Sequence, residues 1–222
     1  MDWRAIVEEV RTDRRRGATA LARRALEAVA LSRAAARPLI AARPSMPLIG
    51  AAVRKAVRSG VAAARRELDA SIKRIAARAV DILPPGGQML AFGGSGTVEA
   101  VVRAVKGKLV EGPPADVALV GADALLPGGD FVGAAGTADF LRRARALRCG
   151  VFVVASELKR VRQEPPLEKG FERVDGRFAH AVLSEKGLTY PPSPALPAVE
   201  PTWLARGALD LDRGHGKCHP HH

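Results

Sequence analysis

Asp123 is the acidic residue best placed for chemistry in this sequence. It follows Gly121 and the short apolar run of residues 117–120, a pattern typical of a strand buried on both faces. In open α/β sheets, ligands bind in the crevice beyond the carboxyl ends of the strands. The position favours a functional carboxylate, while the spacing equally allows an acid that only caps a turn.

Two glycine-rich turns, each followed by a predicted helix, are suited to binding a phosphate. The first turn follows a predicted strand at residues 88–92, and the second precedes the helical pattern of residues 138–147, with Thr137 as the expected N-cap. Such turns present free backbone N–H groups and the positive end of a helix dipole. The expected phosphate- or ligand-binding residues in these turns are Gly94, Ser95, Gly96, Thr97, Gly136 and Thr137.

The first turn does not match the common nucleotide-binding motifs. Residues 93–97 lack the lysine of a Walker loop and the glycine spacing of a dinucleotide fingerprint. Neither ATPase nor NAD chemistry is indicated. The sequence predicts no cofactor and no metal site.

The chain divides where its composition changes. Apolar residues recur at helical spacing in residues 3–80, which predicts four helices in an amino-terminal domain. A proline- and glycine-rich segment at residues 84–87 marks a boundary, and six prolines after Tyr190 predict a loosely held tail. The predicted strands of the second domain lie at residues 88–92, 117–120, 151–155 and 178–183. The predicted domains are a basic helical domain at 1–83, an α/β domain at 84–190 and the tail at 191–222.

The segment from Asp116 to Thr137, DVALVGADALLPGGDFVGAAGT, resembles a Rossmann-like domain shared by two related groups of proteins. One group comprises the alpha, beta and delta regulatory subunits of translation initiation factor 2B. The other comprises aldose-ketose isomerases that act on methylthioribose-1-phosphate or ribose-1,5-bisphosphate. The resemblance extends from about Arg11 to about Pro191. It implies a shortened, archaeal-type member with an α/β fold, in which a helical amino-terminal domain precedes a Rossmann-like, mostly parallel sheet.

The shortening falls between residues 108 and 117. The relatives carry at least one further strand-helix unit there, whereas this chain has only LVEGPPA. A strand-helix-strand unit needs roughly 30 residues. We therefore expect a sheet narrower than that of the relatives.

The resemblance also implies roles for two arginines. Arg16-Gly17-Ala18 stands where the isomerases have an Arg-Gly-Ala turn that contacts substrate phosphate, and Arg43-Pro44 resembles a second Arg-Pro segment of that group. A guanidinium at a glycine turn offers both side-chain and backbone donors to a phosphate. We expect Arg16, Gly17 and Arg43 to bind ligand, with an exposed basic turn as the competing interpretation for each arginine.

Two departures from the isomerases argue against catalysis. The place of their catalytic cysteine falls at Gly93, which cannot serve as a nucleophile, and the place of their lysine falls at Ala134. Asp123 is retained, and it is a catalytic acid or base only if the protein is an isomerase. The turn GSGTVEAVV and the segment ASELKRV are closer to the regulatory subunits. In that segment, Glu157 and Lys159 match a Glu and a Lys of the regulatory subunits; ordinary loop charges are the competing interpretation, which is favoured for Lys159.

Charge is uneven along the chain, which carries a net charge of +12. Residues 1–80 hold 18 Lys and Arg against 7 Asp and Glu, whereas residues 81–222 are nearly balanced. A basic surface of this kind suits RNA, an acidic protein or a phosphorylated metabolite. Almost no aromatic residues accompany the charge, so most of these side chains are expected to be solvated helix surface.

The composition also indicates the growth temperature of the source and the cellular compartment of the protein. The sequence has no Asn and only two Gln, which together with abundant Arg is typical of a thermophile. Two cysteines make no disulfide framework, so a reducing cytoplasm is indicated, and Cys149 is expected in the core. Without a signal peptide or a membrane-spanning run, a soluble protein is expected. Adventitious binding of Zn²⁺ or Ni²⁺ is conceivable only at the tail residues His215, Cys218, His219, His221 and His222.

These observations predict a regulatory protein of the initiation factor 2B type. It would bind a nucleotide or sugar phosphate without catalysis and report it to a partner, such as initiation factor 2 or another translation protein. The alternative is an aldose-ketose isomerase, an intramolecular oxidoreductase acting on a ribose-1-phosphate type of substrate. A further alternative is RNA binding through the basic helical domain. The resemblance implies a homo-oligomer, at least a dimer, and no membrane association is expected.

Overall fold

The computed structural model describes residues 2–191, and the first part of that span is helical. The helices are α1 (Trp3–Thr12), α2 (Ala18–Leu31), α3 (Ala36–Ile40), α4 (Pro47–Ser59) and α5 (Val61–Ile82), with a 3₁₀ turn at Arg33–Ala35. Their apolar stripes share one core, and its most deeply buried side chains include Ile6, Leu21, Leu26, Leu48 and Ile49. The helical spacing therefore predicts this part well, although it does not reveal α3. The histidines and Cys218 of the predicted tail lie outside the described residues.

The second part alternates strands and helices. The strands are β1 (Gln88–Phe92), β2 (Lys108–Leu109), β3 (Val117–Gly121), β4 (Ala124–Leu125), β5 (Phe131–Ala134), β6 (Gly150–Val154), β7 (Phe171–Val174), β8 (Ala181–Ser184) and β9 (Gly187–Thr189). The helices are α6 (Gly96–Ala104) and α7 (Thr137–Ala146). Six strands form one sheet in the order β2-β1-β3-β6-β8-β9, and only the β8–β9 pair is antiparallel. The predicted α/β fold, a helical region followed by a mostly parallel sheet, is confirmed.

The central strands β3 and β6 are apolar along their whole length because both faces of the sheet are covered. Val117, Leu119 and Phe152 pack on one face with helix α6, while Ala118 and Val151 pack on the other with α7. Strands covered on both faces read as continuous apolar runs rather than alternating patterns. This is why both strands can be located from the sequence.

A second, smaller sheet follows directly after β3 and was not predicted. Strands β4, β5 and β7 form it in an antiparallel arrangement. The sequence around β5 suggests two successive turns, but Phe131 and Val132 between those turns are fully buried. The small sheet lies at the carboxyl end of β3, where it borders Asp123.

One edge of the main sheet ends in a two-residue strand. β2 pairs with β1 in parallel, and the chain then reaches β3 without an intervening helix. At the other edge, the predicted last strand begins only at Ala181, because Gly176–Phe178 forms a 3₁₀ turn. The hairpin strand β9 completes that edge.

Helix α5 belongs to both parts of the molecule. Near its start, Ala64 and Leu68 pack in the helical core. In its last turns, Ile75 and Ala79 pack with Met89 of β1 in the core of the sheet. The 22-residue helix therefore links the two cores. No helix among residues 2–191 is both long and apolar enough to cross a membrane.

Candidate functional site

Three neighbouring strands bring the sequence-predicted residues to one edge of the sheet. Strands β1, β3 and β6 are adjacent and parallel, so their carboxyl ends face the same side. The first glycine turn follows β1, Asp123 follows β3, and a 3₁₀ turn at Glu157–Lys159 follows β6. We call these three segments the carboxyl edge, and it is the candidate functional site.

The Arg16-Gly17 turn packs directly on the first glycine turn. A Cβ atom added to Gly17 would come within 2.7 Å of the Gly94 carbonyl oxygen. A Cβ atom added to Gly121 would come within 2.7 Å of Ser95 Oγ. Neither position has room for a side chain. The predicted Arg-Gly-Ala turn, the first glycine turn and the end of β3 therefore form one packed unit.

The first glycine turn opens helix α6, as expected from its sequence. Ser95 is the N-cap, and its Oγ accepts a hydrogen bond from the Val98 N–H at 3.4 Å. Gly94 and Gly96 are exposed, whereas Thr97 is buried. A ligand can therefore reach the backbone of the two glycines, while the Thr97 side chain faces the protein interior. Phosphate binding at this turn stays a prediction.

The second turn differs from the expected arrangement. The N-cap of α7 is Gly136, which has a left-handed backbone (φ 94°), and Thr137 is the first helical residue. The Thr137 hydroxyl donates instead to the Ala134 carbonyl at 2.6 Å. The N-cap role predicted for Thr137 is wrong, because the turn requires a positive φ that glycine adopts without cost. Glu172 Oε1 accepts from the Ala138 N–H at 2.8 Å, so a carboxylate already lies at this helix end.

Asp123 lies in a mixed electrostatic environment between β3 and β4. Its backbone N–H donates to the Val132 carbonyl at 2.7 Å, which ties it to the small sheet. Burial raises the pKa of its carboxyl above the ordinary value. The charges of Lys159 and Arg43 act in the opposite direction, and Glu168 adds to the increase. Such a carboxyl can accept hydrogen bonds from ligand hydroxyls and can exchange a proton.

Lys159 is a part of the site that the sequence interpretation missed. It is 3% exposed, and its Nζ donates to the Ala122 carbonyl at 2.5 Å, next to Asp123. Burial lowers the pKa of its ammonium, and Asp123 opposes that effect. The interpretation of Lys159 as a loop charge is wrong. One signal does point to it: Lys159 follows the buried strand β6 just as Asp123 follows β3.

A polar network holds the turn that carries Lys159. Ser71 of α5 donates from Oγ to Glu185 Oε1 at 2.9 Å, and Ser156 Oγ lies 3.1 Å from the same oxygen. The other oxygen, Oε2, accepts from the Glu157 N–H at 2.9 Å. Ser71 and Ser156 are buried. Glu185, in the β8–β9 hairpin, thus fixes the 3₁₀ turn against α5.

Arg43 is buried and joins the helical part to the loop before β7. Its Nε donates to Glu168 Oε1 at 2.9 Å, and its Nη1 donates to the Asp13 carbonyl. Ser45 and Glu168 exchange backbone and side-chain hydrogen bonds at 2.8 and 3.2 Å. The Arg43 guanidinium also lies 5.7 Å from the centre of the Phe171 ring. Ligand binding by Arg43 stays a prediction, and these contacts show that Arg43 joins the helical part to the loop before β7.

Arg16 is likewise paired within the chain. Its Nε donates to Asp13 Oδ2 at 2.6 Å, and its Nη2 pairs with Glu9. Burial raises the pKa of Asp13, but hydrogen bonds from Arg16 and from the Arg15 N–H more than offset this and lower it to about 2. The Arg16 side chain remains half-exposed. A phosphate at this turn would share Arg16 with two carboxylates.

The position aligned with the isomerase cysteine favours glycine in this fold. Gly93 has φ 78°, a conformation that other residues rarely adopt. The edge therefore brings the opposite charges of Asp123 and Lys159 within electrostatic reach of each other, and Gly93 supplies no nucleophile. Among residues 2–191, no group of three or more His, Cys, Asp or Glu side chains is arranged to hold a metal ion.

The fold and the carboxyl edge define a Rossmann-like α/β protein with a helical amino-terminal region. No family model and no curated protein sequence matches the chain. Solved structures do. Translation initiation factor eIF-2B from Pyrococcus horikoshii OT3 superimposes with a TM-score of 0.71 at 17% identity, covering 86% of this chain and 97% of that one.

Two further structures connect the chain to both groups named above. The tetrameric eIF2B-beta2-delta2 complex from C. thermophilum matches with a TM-score of 0.64 at 16% identity, covering 85% of this chain and 90% of that one. The 5-methylthioribose 1-phosphate isomerase from Pyrococcus horikoshii OT3 matches with a TM-score of 0.62 at 15% identity, covering 96% of this chain and 88% of that one. The resemblance is thus confirmed at the level of the fold.

Proposed function

We propose that this chain is a regulatory protein of the initiation factor 2B type that binds a nucleotide or sugar phosphate at its carboxyl edge without converting it. The observation that carries the proposal is the placement of Lys159. A buried ammonium costs free energy, and here a dedicated network holds it beside Asp123. Such an arrangement is expected where a site is built for a ligand rather than for stability.

The proposed binding mode follows from the chemistry of the edge. The exposed glycines of the first turn offer backbone N–H groups at the start of α6, where the helix dipole favours a phosphate. Asp123 accepts hydrogen bonds from sugar hydroxyls, and the charge of Lys159 opposes the increase in the Asp123 pKa that burial causes. Gly93 supplies no nucleophile, which supports binding without turnover.

A thermal-shift experiment tests the proposal. The melting temperature is measured with AMP, GMP, GDP, ribose-1,5-bisphosphate and methylthioribose-1-phosphate, each up to millimolar concentration. A ligand at 100 times its Kd stabilises the fold by about 2.7 kcal/mol, which raises the melting temperature by roughly 5–10 °C for a chain of this size. For AMP, GMP and the two sugar phosphates, we expect Asp123→Ala to abolish the shift, whereas Asp81→Ala, at an exposed position of α5, leaves it intact. No shift with any compound would refute the proposal.

The aldose-ketose isomerase is the second candidate, and one observation favours it. Burial raises the pKa of Asp123 above its ordinary value, which is the direction in which the pKa of a carboxylic general acid or base is shifted. Conversion of ribose-1,5-bisphosphate or methylthioribose-1-phosphate, followed by NMR and lost in Asp123→Asn, would establish this candidate over the non-catalytic one. We expect no conversion.

Partners form the last part of the proposal. The C. thermophilum relative was solved as a tetramer, so we propose that this chain forms at least a homodimer, to be measured by light scattering. Initiation factor 2 is the proposed protein partner, and pull-down with and without the ligand tests it. RNA binding through the basic helices predicts an affinity that falls steeply with salt; an affinity that is independent of salt would exclude it.

A further inference from the structure

A groove on the helical part is separate from the carboxyl edge. It lies between the 3₁₀ turn with α3 on one side and α4 on the other, is open to solvent, and has a volume of about 660 Å³. Small-molecule sites typically measure roughly 300–1,000 Å³. Its floor is apolar, and its rim is basic: the floor is formed by Ala34, Ala36, Ile40 and Val57, and the rim by Arg33, Arg37, Arg54 and Arg58.

The four rim arginines lack carboxylate partners. No acidic residue lines the groove, and within residues 2–191 none of the four forms an ion pair. Arg33 donates from Nη2 to the Val57 carbonyl at 3.3 Å. Four like charges around one groove repel each other. An anion would relieve that repulsion.

Gly50 leaves space for the side chain of Arg54. Gly50 lies inside α4, where glycine costs about 1 kcal/mol relative to alanine. A Cβ atom there would meet Arg54 Nη1 at 3.2 Å and the Ile40 carbonyl oxygen at 3.1 Å. The missing side chain lets the Arg54 guanidinium lie close against the helix at the groove.

We propose that the groove binds a nucleoside polyphosphate. The apolar floor receives the base, and guanidinium groups, which are planar, stack on flat rings and bind phosphate oxygens in pairs, hold the phosphates. No groove residue belongs to the carboxyl edge, so the inference does not rest on the proposed function.

Calorimetric titration of the full chain with ATP and GTP tests the proposal. The groove variant is Arg37→Gln combined with Arg54→Gln, and the matched control is Arg65→Gln combined with Arg66→Gln on the exposed face of α5. A hydrogen bond to a charged group contributes about 1.5–3 kcal/mol, so losing two predicts an affinity at least about 100-fold lower. The control pair and Asp123→Ala are expected to bind as the unmodified chain does.

The competing outcomes are distinct. Titration with pyrophosphate alone and adenosine alone tests both halves of the ligand, and each is expected to bind more weakly than ATP. Equal binding of pyrophosphate and ATP, or no ATP binding, would overturn the inference. So would an affinity lowered by Asp123→Ala and unaffected by the groove variant, although the proposed function would then stand.

A polyglutamate peptide or an RNA oligomer that displaces ATP with higher affinity would reassign the groove to that partner. If the groove variant melts lower than the control, Arg37→Lys and Arg54→Lys replace it, and the same comparison decides.

Discussion

Replacing Lys159 by methionine tests whether the charge of Lys159 serves ligand binding or the stability of the fold. Met has a similar length and shape, so the buried space stays filled while the ammonium is removed. If Lys159 is retained for a ligand, its removal should leave the fold at least as stable and should abolish ligand binding. If Lys159 is a structural element, its removal should destabilise the fold.

The expected change in stability follows from two opposing contributions. The variant loses one charged hydrogen bond to the Ala122 carbonyl, about 1.5–3 kcal/mol. It also avoids the burial of an ammonium that is 3% exposed, an effective cost of several kcal/mol. The expected net change is therefore between about zero and +2 kcal/mol, or up to roughly 8 °C in melting temperature. Loss of the nearby cation should raise the pKa of Asp123 further.

Urea denaturation and thermal melting measure the change, with Lys73→Met on the exposed face of α5 as the control. An exposed substitution is expected to stay within about 0.5 kcal/mol. The pH dependence is a second readout: because the folded pKa of Lys159 lies below 10.5, the unfolded chain binds more protons there. Stability should therefore rise with pH between the lowered pKa and 10.5. Lys159→Met should remove this contribution to the pH dependence of stability. A loss above about 3 kcal/mol would refute the reasoning.

Three further changes test separate features. Gly17→Ala places a Cβ atom 2.7 Å from a backbone carbonyl oxygen and should cost about 1–3 kcal/mol in urea denaturation, whereas Gly112→Ala, with open space around it, should not. Burial lowers the pKa of His180 from 6.5 to about 4, with Arg145 adding to the effect, so the unfolded chain binds more protons between these values. Stability should fall by about 2 kcal/mol, after allowance for solvent screening, as the pH drops from 6.5 to 4. His180→Phe should flatten that part of the profile. Glu185→Ala should weaken ligand binding through the displaced turn, Glu185→Gln should partly restore it, and equal ligand-induced shifts in both variants would argue against a positioning role.

The sequence predicts the main sheet because its central strands are covered on both faces. Such strands are continuous apolar runs, and β3 and β6 can be located from composition alone. Strand β5 escapes this reasoning because it is four residues long and flanked by glycine turns. Its burial comes from pairing with β7, about 40 residues later, which no local pattern contains.

The sequence indicates where the candidate site lies, but it does not show which residues contact the side chains there. Asp123 is recognisable because it follows a predicted strand. Gly17 and Gly94 are recognisable because they lie in predicted glycine turns. The pairing of Arg43 with Glu168 spans 125 residues, so its role in joining the two parts has no local signal. Lys159 looks like a surface charge in the sequence, because burial of a charge depends on a carbonyl and a network supplied by distant segments.

Helix α5 has a consequence for how this architecture can be recombined. Because Ile75 and Ala79 cover the sheet while Leu68 closes the helical core, a cut at the composition change near Pro84 separates each half from a surface it needs. Exchange of the amino-terminal part with that of a relative has to carry a compatible α5, or leave α5 with the sheet. We therefore expect that cutting the chain at the predicted boundary does not yield two parts that fold independently.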